Sequence, residues 1–104
     1  MQVLVFEYII KKKKKMKIKQ GFNLKNEHGQ TFIVCDKNVH PGFNSTIVLT
    51  ETSEHLWNML KSGTTNKEQL LIGLLEKFDI STVLALNNID VFIKTLKENG
   101  ILEE

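Results

Sequence analysis

Three stretches in the second half of the chain return an apolar residue every three or four positions, and each is bracketed by residues that start or stop a helix. The first follows Thr50, an N-cap residue, with Glu51 and Glu54 where the positive end of a helix favours anions. Its apolar face is Leu56, Trp57 and Leu60, and Gly63 ends it. The second opens on Thr65-Asn66-Lys67-Glu68, the S/T-x-x-E form of a capping box, and carries Leu70, Leu71, Leu74, Leu75 and Phe78 as a face for burial. The third starts at Ser81 or Thr82 and runs to Asn99, with Gly100 past its end and Ile101 and Leu102 folding back as an apolar clasp. At about 100° per residue, Ala85, Leu86, Ile89, Phe92, Ile93 and Leu96 fall on one side of it and Val91 on the other. A chain patterned in this way must bury three helical stripes against something.

The first half supplies a sheet. Residues 22–26 and 31–36 are strand-like runs separated by Glu27-His28-Gly29-Gln30, a short glycine-containing turn expected of a β-hairpin. After a loop over residues 37–44, with the single proline Pro41 beside Gly42, residues 45–49 (STIVL) are a third strand candidate at a sheet edge. The predicted architecture is α+β and winged-helix-like, a three-stranded antiparallel sheet followed by three helices. With 104 residues and 41% hydrophobic content the chain can build one modest core, placed at residues 16–104 behind an extension over residues 1–15.

That extension concentrates charge. Residues 1–19 hold seven lysines against Glu7, whereas residues 20–104 hold seven lysines against eleven acids, so a basic head precedes an acidic body. Residues 3–10 (VLVFEYII) are apolar but for Glu7, about half the span a membrane helix needs. Their lysines follow the apolar stretch, the reverse of a secretory signal. Neither anchor nor signal is expected, and the β-branched content suits a strand that pairs with a sheet edge of this chain or of a neighbour. A second reading takes Met16 as the natural start. The single cysteine excludes an internal disulfide and fits a cytoplasmic protein.

Motifs of catalysis and metal binding are missing. His28, His40 and His55 fall in a turn, a loop and a helix, without the i,i+4 pair or clustered Cys/His spacing of a metal site. Cys35 alternates along an apolar strand, a packing position. There is no GxGxxG, Walker loop or G-x-S-x-G, and the paired carboxylates Glu103-Glu104 stand at the chain's end. No catalytic, metal-binding or cofactor-binding residue is expected, and the chain does not read as an enzyme.

Leu49-Thr50-Glu51-Thr52, then Leu56-Trp57 and Leu60, Gly63, Thr65-x-x-Glu68, the run Leu75-Glu76-Lys77-Phe78-Asp79-Ile80 and the ending Phe92-Ile93-x-x-Leu96-x-x-x-Gly100-Ile101-Leu102 resemble the PqqD family. The resemblance covers most of the chain from Met16 to Leu102. Two positions depart from the family pattern: Thr50 stands where an asparagine is common, and Asn88 where an aspartate is usual. Members of the family are recognition elements for ribosomally synthesised, modified peptides (RiPPs). The resemblance implies a non-catalytic peptide chaperone that binds the leader of a precursor peptide and presents it to a modifying enzyme, a radical SAM or other RiPP-modifying enzyme.

An open sheet edge can accept an extended peptide as an added strand. The family places the leader between the third strand and the last helix, which implies Thr46, Ile47, Val48 and Leu49 on the strand side and the shoulder Leu86, Asp90, Ile93 and Lys97 on the helix side. By helical periodicity alone, Leu86 and Ile93 read as core rather than groove. The chain is expected to be a monomer or a weak homodimer through an edge strand, without membrane or nucleic-acid partners. The alternative is a winged-helix nucleic-acid-binding protein using its lysine run. Against that, all fourteen basic residues are lysine, so the bidentate base reader arginine is absent. The second and third helices also balance their lysines with acids: Lys67 and Lys77 with Glu68 and Glu76, Lys94 and Lys97 with Asp90 and Glu98. A structural subunit or small regulator that dimerises through the same edge is a third class.

Overall fold

A computed structural model describes residues 16–103. The expectations for residues 1–15, including the strand over residues 3–10, and for Glu104 lie outside the described residues. The element order is β1 (Lys17–Ile18), β2 (Phe22–Glu27), β3 (Gln30–Cys35), β4 (Val48–Leu49), α1 (Glu51–Lys61), α2 (Lys67–Lys77), α3 (Thr82–Glu98) and β5 (Leu102–Glu103). The fold is α+β: an antiparallel sheet in the order β2-β3-β4, followed by three helices, with β1 and β5 paired separately.

The hairpin forms where the glycine marks it. Glu27 pairs with Gln30, and the two residues between them, His28 (φ 55°) and Gly29 (φ 78°), both take the left-handed conformation that a two-residue primed turn requires. The third strand is shorter than residues 45–49, because regular pairing begins only at Val48. The preceding loop is tied elsewhere. Val39 and His40 donate to the Asp36 carbonyl, the His40 ring stacks on Phe22 at 4.2 Å, and Phe43 meets the same ring edge-on at 5.1 Å. These contacts hold the chain off the sheet until Ile47, whose carbonyl accepts the Ile33 N–H at 3.1 Å.

The helices start and stop on local chemistry. Thr50 Oγ1 accepts the Ser53 N–H at 3.2 Å, and Ser81 Oγ accepts the Leu84 N–H at 3.1 Å. The capping box at Thr65 is not formed. Asn66 is the N-cap, its side chain accepting the Gln69 N–H at 2.9 Å, while the Thr65 carbonyl takes the Met16 N–H at 3.0 Å. Helix α1 ends with Gly63 N–H bonded to Leu60 and Thr64 N–H to Met59, and α3 ends with Gly100 N–H bonded to Lys97 and Ile101 N–H to Leu96. Both are Schellman motifs, which need a left-handed residue at the position Gly63 and Gly100 occupy. The second motif turns Ile101 and Leu102 inward, where both are buried, and delivers β5 to β1.

The core gathers Phe22 and Ile33 from the sheet, Leu56, Trp57 and Leu60 from α1, Leu70 and Leu74 from α2, and Ala85, Ile89, Phe92 and Leu96 from α3, closed at one end by Ile18, Ile101 and Leu102. It is narrower than the apolar stripes. Leu75 and Leu86, both expected in the core, are exposed, and Leu71, Phe78 and Ile93 are half-buried. The reason lies in the placement of α2, which packs on α1 and α3 at the margin of the molecule and so covers only part of each stripe. Gly73 of α2 faces the Met59 thioether of α1, where any larger side chain would collide with it.

Candidate functional site

Strand β4 forms one edge of the sheet, and its pairing decides which backbone groups face outward. Thr31 stands opposite Leu49 and Phe32 opposite Val48, and the Ile33–Ile47 hydrogen bond fixes the phase of the ladder. In an antiparallel pair, hydrogen-bonded and non-hydrogen-bonded positions alternate. Ile47 and Leu49 therefore turn their N–H and C=O toward β3, and Val48 turns both outward. The side chains agree, with Ile47 and Leu49 half-buried against the core and Val48 51% exposed. Thr46 is exposed and continues the outward phase. The opposite edge, β2, is partly occupied: Lys61 Nζ donates to the Phe22 carbonyl at 2.8 Å, and the edge carries the Lys25–Glu27 ion pair.

Helix α3 has two flanks on either side of its buried stripe. On one, Asp90 forms an ion pair with Lys67 at the head of α2, and Leu86, Ile93 and Lys97 share that flank at helical spacing. On the other, Leu84, Asn88, Val91, Thr95 and Asn99 form a row at helical spacing. Thr95 Oγ1 donates to the Val91 carbonyl, and the Asn99 side chain donates to the Thr95 carbonyl, both at 2.8 Å. Asn99 shares an open cavity of about 380 Å³ with Phe22, His40, Phe43 and Ser45, at the entry to residues 46–49. This second flank thus ends beside the loop that leads into β4. Its apolar members are exposed, Val91 at 56% and Leu84 at 46%.

The four strand residues thus come together at one edge; of the four shoulder residues, Asp90 is joined to α2 by its ion pair with Lys67. Helical periodicity separates buried from exposed faces but gives no information about which neighbour lies on which flank. Val91 stands out as an aliphatic residue on an otherwise polar face, next to Asn87, Lys94 and Glu98.

Among the described residues no group of three or more His, Cys, Asp or Glu side chains could hold a metal ion, and no helix is long and apolar enough to cross a membrane. Cys35 is half-buried with its Sγ 3.7 Å from the His40 carbonyl, a weak contact that fits packing. What the edge offers is a backbone donor and acceptor beside apolar side chains, which is the equipment for strand addition.

No family model and no curated protein matches the chain. Among solved structures, the fold is similar to that of TbiB1 in complex with the TbiA(beta) leader peptide, with a TM-score of 0.65 over 84% of this chain and 94% of the other, at 14% sequence identity.

Proposed function

We propose that this chain binds the leader of a ribosomally synthesised precursor peptide as an added strand on the β4 edge and presents it to a modifying enzyme, of the radical SAM or another RiPP-modifying class, while contributing no catalytic group of its own. The observation that carries this reading is the outward N–H and C=O of Val48 on an edge strand, with its side chain half exposed. Thr46, Ile47, Val48 and Leu49 form the strand side. In this reading the helix wall is the exposed pair Leu84 and Val91, and the shoulder Leu86, Asp90, Ile93 and Lys97 is the alternative wall. The likeness in fold to a protein solved with a leader peptide supports the same use of this fold.

Titration of the cognate leader into isotope-labelled protein tests the proposal. Amide shifts are expected at Thr46 to Leu49 and along Leu84 to Thr95. Changes confined to α2 and the Glu27 to Gln30 turn, with β4 silent, would place the site elsewhere.

A further inference from the structure

The sheet ends at β4 with an open side. Its order is β2-β3-β4, and among the described residues no strand pairs with the outer side of β4, where the Val48 N–H and C=O point. An unpaired edge of this kind is a template for another strand. The other edge is less available, because the Phe22 carbonyl on β2 already accepts Lys61 Nζ and Lys25 pairs with Glu27 along it. A strand that adds to this sheet is left with β4.

The chain carries such a segment of its own. Residues 3–10 read VLVFEYII, and with side chains alternating along a strand, Leu4, Phe6, Tyr8 and Ile10 fall on one face and Val3, Val5, Glu7 and Ile9 on the other. One face is thus free of charge and fit for burial. The point where the described chain begins sets what this segment can reach. The Met16 N–H is bonded to the Thr65 carbonyl at 3.0 Å, just beyond the C-terminal end of α1, and β1 packs on that helix. The N-terminal end of α1 follows β4 directly, at Thr50. With eleven residues α1 is about 17 Å long, and the five lysines between Ile10 and Met16, when extended, cover about the same distance. Residues 3–10 are therefore within reach of β4. The lysines cross a body that holds eleven acids to seven lysines over residues 20–104, which attracts them.

From these observations we infer that residues 3–10 add to the β4 edge of their own chain as a further strand and close it until a leader displaces them. The occupant of the edge follows from reach and pattern; its role as a gate on leader binding rests on the function proposed above. The two effects share one magnitude. Occupancy slows exchange of the Val48 amide by the inverse of the open fraction, and it weakens leader binding by the same factor, since only the open form is competent.

The test measures hydrogen exchange at the Val48 amide by NMR in the full chain without a leader, and then the affinity of a synthetic peptide of the cognate leader sequence. The parent is compared with Val5→Pro combined with Tyr8→Pro. These positions have opposite phase along a strand, so one of the two prolines removes a donor facing β4 in either register. Neither residue belongs to the core, so the fold is retained. The variant is expected to exchange the Val48 amide at least tenfold faster and to bind the leader more tightly by a factor that matches within about threefold. Val5→Ile with Tyr8→Phe should behave as the parent does. A Val48 amide that exchanges as fast in the parent as in the double-proline variant overturns the inference. So does protection that grows with protein concentration, because the added strand would then come from a second copy. A leader that binds both forms equally, although the prolines expose Val48, overturns the gate. If the prolines expose Val48 and no leader binds either form, the edge contact stands and the leader-binding function falls. The effect of proline at position 48 on leader binding is read in the double-proline variant, where residues 3–10 no longer compete for the same backbone groups.

Discussion

Proline at position 48 separates the edge from the fold. The Val48 N–H faces away from β3, so its removal breaks no bond within the sheet, and the side chain it replaces is already half-exposed. The restriction that proline places on the preceding residue favours the extended conformation that Ile47 already holds opposite Ile33. We expect Val48→Pro to change stability by less than about 1 kcal/mol, within the range of exposed-site substitutions. A bound strand would lose one N–H···O bond, worth about 1 to 1.5 kcal/mol, or roughly a five- to thirteenfold loss of affinity. Leu49→Pro is the contrasting case, because it removes a donor that faces β3 and leaves its acceptor unpaired, which should cost about 2 to 3 kcal/mol of stability. Trp57 is the single tryptophan and is buried, so its fluorescence during urea titration reports unfolding, and anisotropy of a labelled leader reports binding. A Val48→Pro variant that is fully folded and binds the leader within twofold of the parent would refute strand addition at this edge. One that loses more than about 2 kcal/mol of stability would refute the assigned phase of the ladder.

Three further outcomes follow from the geometry. Val91→Asp, on the flank of α3 away from Asp90, should weaken leader binding by about fivefold or more with little change in the urea midpoint, whereas Leu86→Asp should leave leader affinity unaltered; the reverse pattern in a leader titration would make the Leu86 shoulder the wall. Thr50→Ala removes the acceptor of the Ser53 N–H and should cost about 1 kcal/mol by urea unfolding, with Thr50→Ser retaining most of it. Gly100→Ala forces a side chain into the left-handed region (φ 68°) that closes α3 and should cost about 1 kcal/mol, measured in the same way.

Local features of the chain carried most of the fold. Gly29 between two alternating runs is enough to place the hairpin, and Thr50, Ser81, Gly63 and Gly100 mark helix ends by hydrogen bonds that each residue makes within its own turn. Where two local solutions competed, the outcome was not legible. Thr65 and Asn66 can each cap α2, and the choice fell to Asn66 because the Thr65 carbonyl is engaged by Met16, forty-nine positions away in the chain. Strand β4 is shortened by the packing of His40 and Phe43 on Phe22, one stacked and one edge-on, contacts that no periodicity encodes. The same limit applies to the site. Val48 can be placed on an edge from its β-branched surroundings, but the Lys67–Asp90 pair, which decides the flank of α3 that meets α2, is a tertiary contact between residues on different helices.

The pairing of β1 with β5 brings Lys17 opposite Glu103 and Ile18 opposite Leu102, with a further bond from Lys19 N–H to the Ile101 carbonyl at 2.9 Å. The described chain therefore enters and leaves the domain at one point. Such a unit is modular: it can be spliced into a surface loop of a larger protein or have its ends joined by a short linker and be reopened at the His28-Gly29 turn, with neither operation cutting through the core. A circular permutant opened at that turn should keep the β4 edge and the three helices in place, which makes the fold well suited to being carried within another polypeptide.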